Sequence, residues 1–362
     1  MSFIVDYNCF TPLGTDLSTT VGRLEAGISG IRLFEDSGQL LPSYYAAQIR
    51  GEVCTHSGYS RLENMLIRVL EPVIARNPVQ ERSLLLVSTT KGNIRSIAAG
   101  EPVNDAFLPV MAENVARHFG FRETPWVLSN ACVSGILAVA VAKRLTDAGI
   151  FDHVYVAAGD EVTDFVLSGF AGFQALSSGP CKPYDKNRDG VTLGEAAAAA
   201  LVSKAPGLFR VAGDGAINDA NHISGPSRTG EGLYRSIRQA LTEAGLNGPE
   251  LDFISAHGTA TEYNDEMEAI ALDRLGLNQV PVNSLKGYFG HTLGASGLLE
   301  AVISFESARK GLLYPSLGLE TLGVSKEIRV IREPENRPVR YFMKTASGFG
   351  GCNTAVIFEK LN

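Results

Sequence analysis

A chain of 362 residues with 45% hydrophobic and 20% charged residues has the composition of a folded protein with a sizeable core, two or three domains' worth by length. Its net charge of −7 argues against a general nucleic-acid binder, which needs a basic surface to displace phosphate counterions. No apolar run approaches the roughly 20 residues that span a bilayer, and the opening Met1-Ser2-Phe3-Ile4-Val5-Asp6 lacks the basic region of a secretory signal. Five cysteines, Cys9, Cys54, Cys132, Cys181 and Cys352, are scattered and form no CxxC pair. That excludes a disulfide framework and any recognisable zinc site, and leaves a reduced cytoplasmic protein as the default.

In chain order, short apolar runs alternate with helical stretches. Leu84-Leu85-Leu86-Val87 reads as a buried strand, followed by Trp126-Val127-Leu128 and a helix over 135–148. Val154-Tyr155-Val156-Ala157-Ala158 is the next strand, then a helix over 233–244, the strand Phe253-Ile254-Ser255-Ala256, a helix over 298–309 and the strand Thr354-Ala355-Val356-Ile357-Phe358. Continuous apolar runs bounded by glycine suit strands covered on both faces, and the alternation predicts an α/β layered protein. There is also a weak internal echo. Trp126-Val127-Leu128 runs through Cys132 into a small-residue helix that ends before Gly149. Val280-Pro281-Val282-Asn283 runs through a glycine-rich turn into a helix that ends before Gly311. A duplicated fold would carry reactive residues at such matching junctions.

Four segments hold chemistry-bearing residues. Cys132 lies between a strand end and the start of a helix, where unpaired N–H groups and the macrodipole favour an anion and lower a thiol's pKa. A buried structural cysteine is the plainer reading of that segment alone. His257 follows a strand, where α/β proteins place ligands, and leads into Gly258-Thr259-Ala260-Thr261, whose two hydroxyls suit a polar ligand. Asp265 is positioned to cap a helix from Glu266 onward. His291 sits among glycines in Lys286-Gly287-Tyr288-Phe289-Gly290-His291-Thr292-Leu293-Gly294-Ala295-Ser296-Gly297, a density that makes sense where backbone passes close to another group. Lys286 could tune that site or simply face solvent. Gly348-Phe349-Gly350-Gly351, between two apolar strands, can present a backbone N–H to an oxyanion under an aromatic ring. It leads into a strand and not a helix, which disfavours phosphate binding. Cys352, just after it, is a poor candidate for a second catalytic thiol.

Together these segments resemble the β-ketoacyl-acyl-carrier-protein synthases, the condensing enzymes of fatty-acid and polyketide assembly. The similarity covers nearly the whole chain. Ala131-Cys132-Val133-Ser134-Gly135 is similar to the family's nucleophile segment, and Lys182-Pro183-Tyr184-Asp185 with Arg188-Asp189-Gly190 and Gly194-Glu195 to its central loop. His257-Gly258-Thr259-Ala260-Thr261 with Asn264-Asp265 resembles its first histidine motif. Lys286 to Gly297 with Glu300 resembles its lysine–histidine motif, and Gly348 to Asn353 its C-terminal loop. Asn130 and Ser296 depart from the commoner residues at their positions, and the chain is shorter than typical members by roughly a tenth, mostly over 91–126.

The resemblance implies a thiolase-like fold: two duplicated halves, 1–205 carrying the nucleophile and 206–362 carrying both histidines, in an αβαβα sandwich. It implies an acyltransferase that accepts an acyl group on Cys132 from a carrier-protein thioester. Malonyl-carrier protein then loses CO₂ with hydrogen bonds from His257 and His291, and the resulting carbanion is acylated. Backbone N–H groups of Cys132 and Phe349 would form the oxyanion hole, Phe349 would also gate the pocket, and Thr259 and Thr261 would flank the pantetheine arm. Lys286, Glu300 and Asp265 would support the array from behind. No cofactor or metal is implied beyond the phosphopantetheine that the acyl carrier protein brings. The expected partners are acyl carrier protein and a second chain, identical or a related ketosynthase, with no nucleic acid and no membrane span. The alternatives are a non-catalytic chain-length-determining partner, which would lack the nucleophile; a thiolase, whose C-terminal cysteine precedes its glycines where Cys352 follows them; and a Cys/His hydrolase, which leaves His291 and the Gly-Phe-Gly-Gly turn without a role.

Overall fold

The computed structural model describes residues 1–35, 41–98, 100, 103–220 and 225–361. Numbering only the main sheet, the strands are β1 Phe3–Phe10, β2 Ser83–Ser88, β3 Trp126–Leu128, β4 His153–Asp160, β5 Ala196–Ser203, β6 Phe209–Asn218, β7 Phe253–Ser255, β8 Val282–Asn283, β9 Tyr341–Gly348 and β10 Cys352–Lys360. Their order is β8-β7-β9-β10-β6-β1-β5-β4-β2-β3. Within the main sheet, the described residues of the two halves pair where Phe3 and Ile4 of β1 meet Arg210 and Phe209 of β6.

Each half repeats one plan. In the first, β2 pairs parallel with β3 and β4, while β5 is antiparallel to both β4 and β1. In the second, β7 pairs parallel with β8 and β9, while β10 is antiparallel to both β9 and β6. Adding five to every strand number of the first half gives the second. The echo seen in the sequence is thus a repeated topology.

Helices fill three layers. Taking those that cover the sheet, α1 is Arg61–Arg76, α2 Leu108–His118, α3 Ser134–Asp147, α4 Glu231–Ala244, α5 Glu262–Arg274 and α6 Ser296–Lys310. Strand alternation sorts the side chains. Leu84 and Leu86 face a central core with α3 and α6, whereas Leu85 and Val87 face an outer core with α1 and α2. In the second half Phe342 and Phe358 face the central core, and Met343 and Ile357 pack with α4 and α5 outside. The result is the expected αβαβα sandwich. β5, Ala-Ala-Ala-Ala-Ala-Leu-Val-Ser, is buried throughout; alanine favours helix intrinsically, but a strand with a helical layer on each face needs side chains small enough to let both approach.

The central layer positions the site. α3 and α6 cross at their first turns through Gly135 and Gly297. A Cβ on Gly135 would stand 2.7 Å from the Gly294 carbonyl, and one on Gly297 would stand 2.7 Å from the Ile136 nitrogen. Two small residues at matching positions let the two helix N-termini meet.

Candidate active site

Cys132 sits on the turn between β3 and α3. The preceding Ala131 has φ 45°, a left-handed conformation that is strained for a residue with a Cβ and that turns the chain sharply enough to aim the thiol away from the helix. The Ser134 hydroxyl clamps the turn, donating to the Ala131 carbonyl at 2.6 Å and accepting from the Asn130 N–H at 2.7 Å. His257 leaves the end of β7. His291 lies between β8 and α6, with its N–H on the Thr192 carbonyl at 2.7 Å. These segments come together: one ligand-type atom from each of Cys132, His257 and His291 lies within 4.8 Å of the others. The two rings stand edge to face, centroids 5.1 Å apart.

The three residues line a cavity of about 430 Å³ with Phe170, Phe173, Thr259, Thr261, Gly348 and Phe349 among its walls. Neither ring nitrogen of His291 has a protein partner, although both are buried, and buried imidazole nitrogens normally do. Phe349, 37% exposed, stacks on Phe170 at 5.9 Å and meets Phe173 edge-on at 5.5 Å, so three rings gather at the cavity wall. Gly348 has no room for a side chain, since a Cβ there would lie 2.8 Å from Cys352 Sγ and 3.1 Å from the Cys132 nitrogen. The Gly-Phe-Gly-Gly turn therefore rests directly on the Cys132 turn. Thr259 and Thr261 line the cavity with hydroxyls 2.8 Å apart.

Behind the imidazoles lies a buried charge cluster. Lys286 is fully buried, not solvent-facing. It donates to Glu300 Oε1 at 2.8 Å and to the His257 carbonyl, and its ammonium stands 3.4 Å from His257 Nδ1. Because an ammonium only donates, this contact suits Nδ1 as acceptor and puts the His257 proton on Nε2. Ser296, the residue that departs from the family pattern, donates to Glu300 Oε1 at 2.9 Å. Lys344 bonds the other Glu300 oxygen. The two lysines overcome burial and hold the Glu300 carboxyl down at about 2. Burial, aided by Lys286, pushes His291 down to about 3 and His257 well below the usual imidazole range. Both rings are neutral at pH 7.

Two expectations change. Burial pushes the Cys132 thiol up to about 12, with Cys352 adding to the rise and Lys286 opposing it; the lowering expected from the helix N-terminus is outweighed because the sulfur is shielded from water. The helix after His257 begins at Glu262, not Glu266, so Asp265 lies inside its first turn. Its carboxylate accepts the Tyr184 N–H at 2.7 Å and the Ala260 N–H at 3.3 Å, pinning the central loop to the Thr259–Thr261 loop. Burial, reinforced by Glu268, pushes it up to about 7. Cys352 donates toward the Phe349 carbonyl at 3.4 Å and does not line the cavity.

The sequence reading missed Glu268, which accepts the N–H groups of His257 and Gly258 at 2.8 and 2.6 Å. It also missed Asp160, which accepts the Gly294 N–H at 2.7 Å and the Thr89 hydroxyl at 2.8 Å, and it missed Lys344. Asp160 and Lys344 offered a signal, a charge at the end of, or within, a mostly apolar buried strand; Glu268, on a helix with several other acidic residues, offered none. Among the described residues, two clusters have metal-ligand types at suitable spacing. One is the site itself. The other, His56, Glu71 and His118, is already paired, His56 with Glu71 at 3.0 Å and His118 with Tyr59 at 3.2 Å. No helix among the described residues is long and apolar enough to cross a membrane.

Comparison with known proteins agrees with this geometry. Residues 80–206 match the β-ketoacyl synthase N-terminal domain and residues 208–320 its C-terminal domain. The chain is 30% identical over 362 residues to 3-oxoacyl-[acyl-carrier-protein] synthase 2 of Vibrio cholerae, covering 93% of this chain and 82% of that one. A β-ketoacyl synthase from Burkholderia phymatum superimposes with a TM-score of 0.90 at 24% identity, over 100% of this chain and 99% of the other. A chain of the ketosynthase–chain length factor complex from Xenorhabdus doucetiae gives 0.86 at 24% identity over 99% and 98%. The two domain matches and the length of the Vibrio alignment decide the question: the chain belongs to the β-ketoacyl synthase family of condensing acyltransferases.

Proposed function

We propose that this protein catalyses decarboxylative Claisen condensation of an acyl thioester with malonyl-acyl-carrier protein. The observation that carries the reading is the convergence of Cys132, His257 and His291 on one cavity within 4.8 Å of one another. In the first half-reaction the Cys132 sulfur attacks the acyl carbonyl and its proton passes to a neutral imidazole. A thiol pushed up to about 12 needs such an acceptor, and the displaced pantetheine thiolate then takes the proton. In the second, the bond between the malonyl α-carbon and its carboxylate breaks and CO₂ leaves. The electron pair stays as an enolate whose oxygen accepts hydrogen bonds from His257 and His291. The α-carbon attacks the acyl carbonyl on Cys132, the developing oxyanion is held by the N–H groups of Cys132 and Phe349, and collapse releases the β-ketoacyl product and expels the Cys132 thiolate, which takes a proton from solvent. Loss of CO₂ generates the nucleophile, so the scheme calls for no metal and no cofactor beyond the carrier's phosphopantetheine.

Thr259 and Thr261 flank the pantetheine arm in this reading, and Phe349, in its cluster with Phe170 and Phe173, gates the acyl pocket. Lys286 and Glu300 support the histidines, and Asp265 holds the threonine loop. The partner is acyl carrier protein, and a second chain, identical or a related ketosynthase, completes the assembly. β3 supports this, being an edge strand of the main sheet with Trp126 44% exposed on it. The setting is cytoplasmic, in keeping with five free cysteines. A non-catalytic chain-length partner is disfavoured because such a role has no use for a thiol aimed at two neutral imidazoles.

Cys132→Ala is expected to abolish acyl-enzyme formation with acyl-carrier protein in intact-mass measurements; undiminished acylation removes Cys132 as nucleophile. His291→Ala is expected to block CO₂ release from malonyl-carrier protein while leaving Cys132 acylation largely intact, and normal CO₂ release refutes its assigned role.

A further inference from the structure

The strand leading to the Gly-Phe-Gly-Gly turn carries a charge among apolar and small neighbours, Phe342-Met343-Lys344-Thr345-Ala346. Lys344 is fully buried, and a buried ammonium persists only with specific partners. It has three. It donates to the carbonyls of Ser255 at 3.2 Å and Ala256 at 2.9 Å, and to Glu300 Oε2. Those carbonyls belong to the two residues directly before His257. The His257 carbonyl itself is taken by Lys286, which also holds the other oxygen of Glu300. Three consecutive carbonyls thus end on two ammonium groups bridged by one carboxylate. Two ammonium groups share one carboxylate behind the imidazoles.

We propose that Lys344 is a positioning residue for the condensation, fixing the strand end that carries His257 and supplying one of the two ammonium charges toward which the enolate's negative charge develops. The inference rests on the synthase reading above. The groups facing Lys344 are Glu300 on α6, Lys286 on the short helix Lys286–Phe289, Glu268 on α5, and the two histidines. Glu300 and Glu268 favour its protonated form and Lys286 opposes it, but burial dominates and pushes it down to about 8. Lys344 also contributes to holding both imidazoles neutral. A charge that titrates close to working pH, bonded to the two carbonyls that precede a reacting histidine, ties the rate of decarboxylation to its own protonation.

Lys344→Met tests this, keeping the stem and removing the charge and donors. Acylation of Cys132 by intact mass and CO₂ release from malonyl-carrier protein are followed separately from about pH 6 to 9, beside a melting curve. At pH 7 decarboxylation is expected to fall about tenfold or more while acylation changes less than about threefold. The parent protein loses decarboxylation as pH rises through about 8, where Lys344 sheds its proton; Lys344→Arg, which stays charged, holds its rate there. If Lys344→Met does not fold, the parent profile and Lys344→Arg still decide. Decarboxylation by Lys344→Met within about twofold of the parent, an equal loss in both half-reactions, or a parent profile flat through pH 8 to 9 overturns the proposal. A parent inactive in both half-reactions refutes the synthase reading instead, and the inference falls with it.

Discussion

Replacing Glu300 by glutamine removes one charge from a cluster in which Lys286 and Lys344 are both fully buried. Two routes give the size of the effect. Breaking a buried ion pair by removing one partner costs about 3–5 kcal/mol, because the remaining charge is left uncompensated. Independently, a carboxyl held at about 2 against an ordinary 4.5 contributes about 3 kcal/mol at neutral pH through linkage. That contribution is fully present above about pH 4.5 and is lost as pH falls toward 2, since the folded-state value is the lower one. The routes agree, so Glu300→Gln is expected to lose about 3–4 kcal/mol at pH 6.5. The loss also has a direction with pH. Glu300 favours the protonated form of Lys344, so its removal drives that lysine further below 8. The unfolded variant then binds more protons than the folded one, stability rises with pH, and the deficit narrows by pH 9. Urea unfolding followed by far-ultraviolet circular dichroism at the two pH values measures both features. A deficit below about 1 kcal/mol at pH 6.5, or one that widens with pH, would falsify the view that Glu300 balances two buried ammonium groups.

Two further outcomes follow from packing and burial. Gly135→Ala gains about 1 kcal/mol in helix propensity, but its methyl would lie 2.7 Å from the Gly294 carbonyl and 2.8 Å from the Leu298 nitrogen. Those are backbone atoms of the facing helix and of the turn that leads into it and cannot rotate away, so a net loss of about 1–2 kcal/mol is expected, and a melting temperature above the parent's contradicts the close approach. Alkylation of Cys132 by iodoacetamide, read by peptide mass so that exposed Cys54 does not interfere, should be slow at neutral pH. It should rise about tenfold per pH unit well past pH 9, because the thiol stands at about 12 and only the thiolate reacts; a plateau near pH 8 means the helix N-terminus wins over burial.

Much of the architecture was legible because a layered α/β protein writes its strands as apolar runs bounded by glycine. β2, β4, β7 and β10 each announced themselves this way. β5 did not: an alanine run looks helical until the two helical layers that demand small side chains are known, and that demand comes from distant chain segments. The thiol and both histidines stood out by their neighbours. What escaped was whatever depends on burial. A helix start suggests a reactive thiol, yet desolvation of Cys132 overrides it. The sequence Thr261-Glu262-Tyr263-Asn264-Asp265 offers several caps, and the choice of Thr261 depends on Asp265 being engaged by the Tyr184 N–H from another loop.

The duplicated frame explains why the charges lie where they do. With Gly135 and Gly297 meeting reciprocally, the residue of α3 that corresponds to Glu300 of α6 is Ala138, which is buried in the central core. β4, the counterpart of β9, presents Val154, Val156 and Ala158 to that core where β9 presents Lys344. The first half therefore fills these positions with apolar groups and stabilises the layer at no electrostatic cost, while the second fills them with an ammonium and a carboxylate, an arrangement that adds little net stability over apolar packing. A fold that needed only a core would have kept both halves alike. The difference at these positions lies beside Lys286, which contacts the carbonyl and Nδ1 of His257, and it places the charge cluster in the half that carries both imidazoles, opposite the half that carries the thiol.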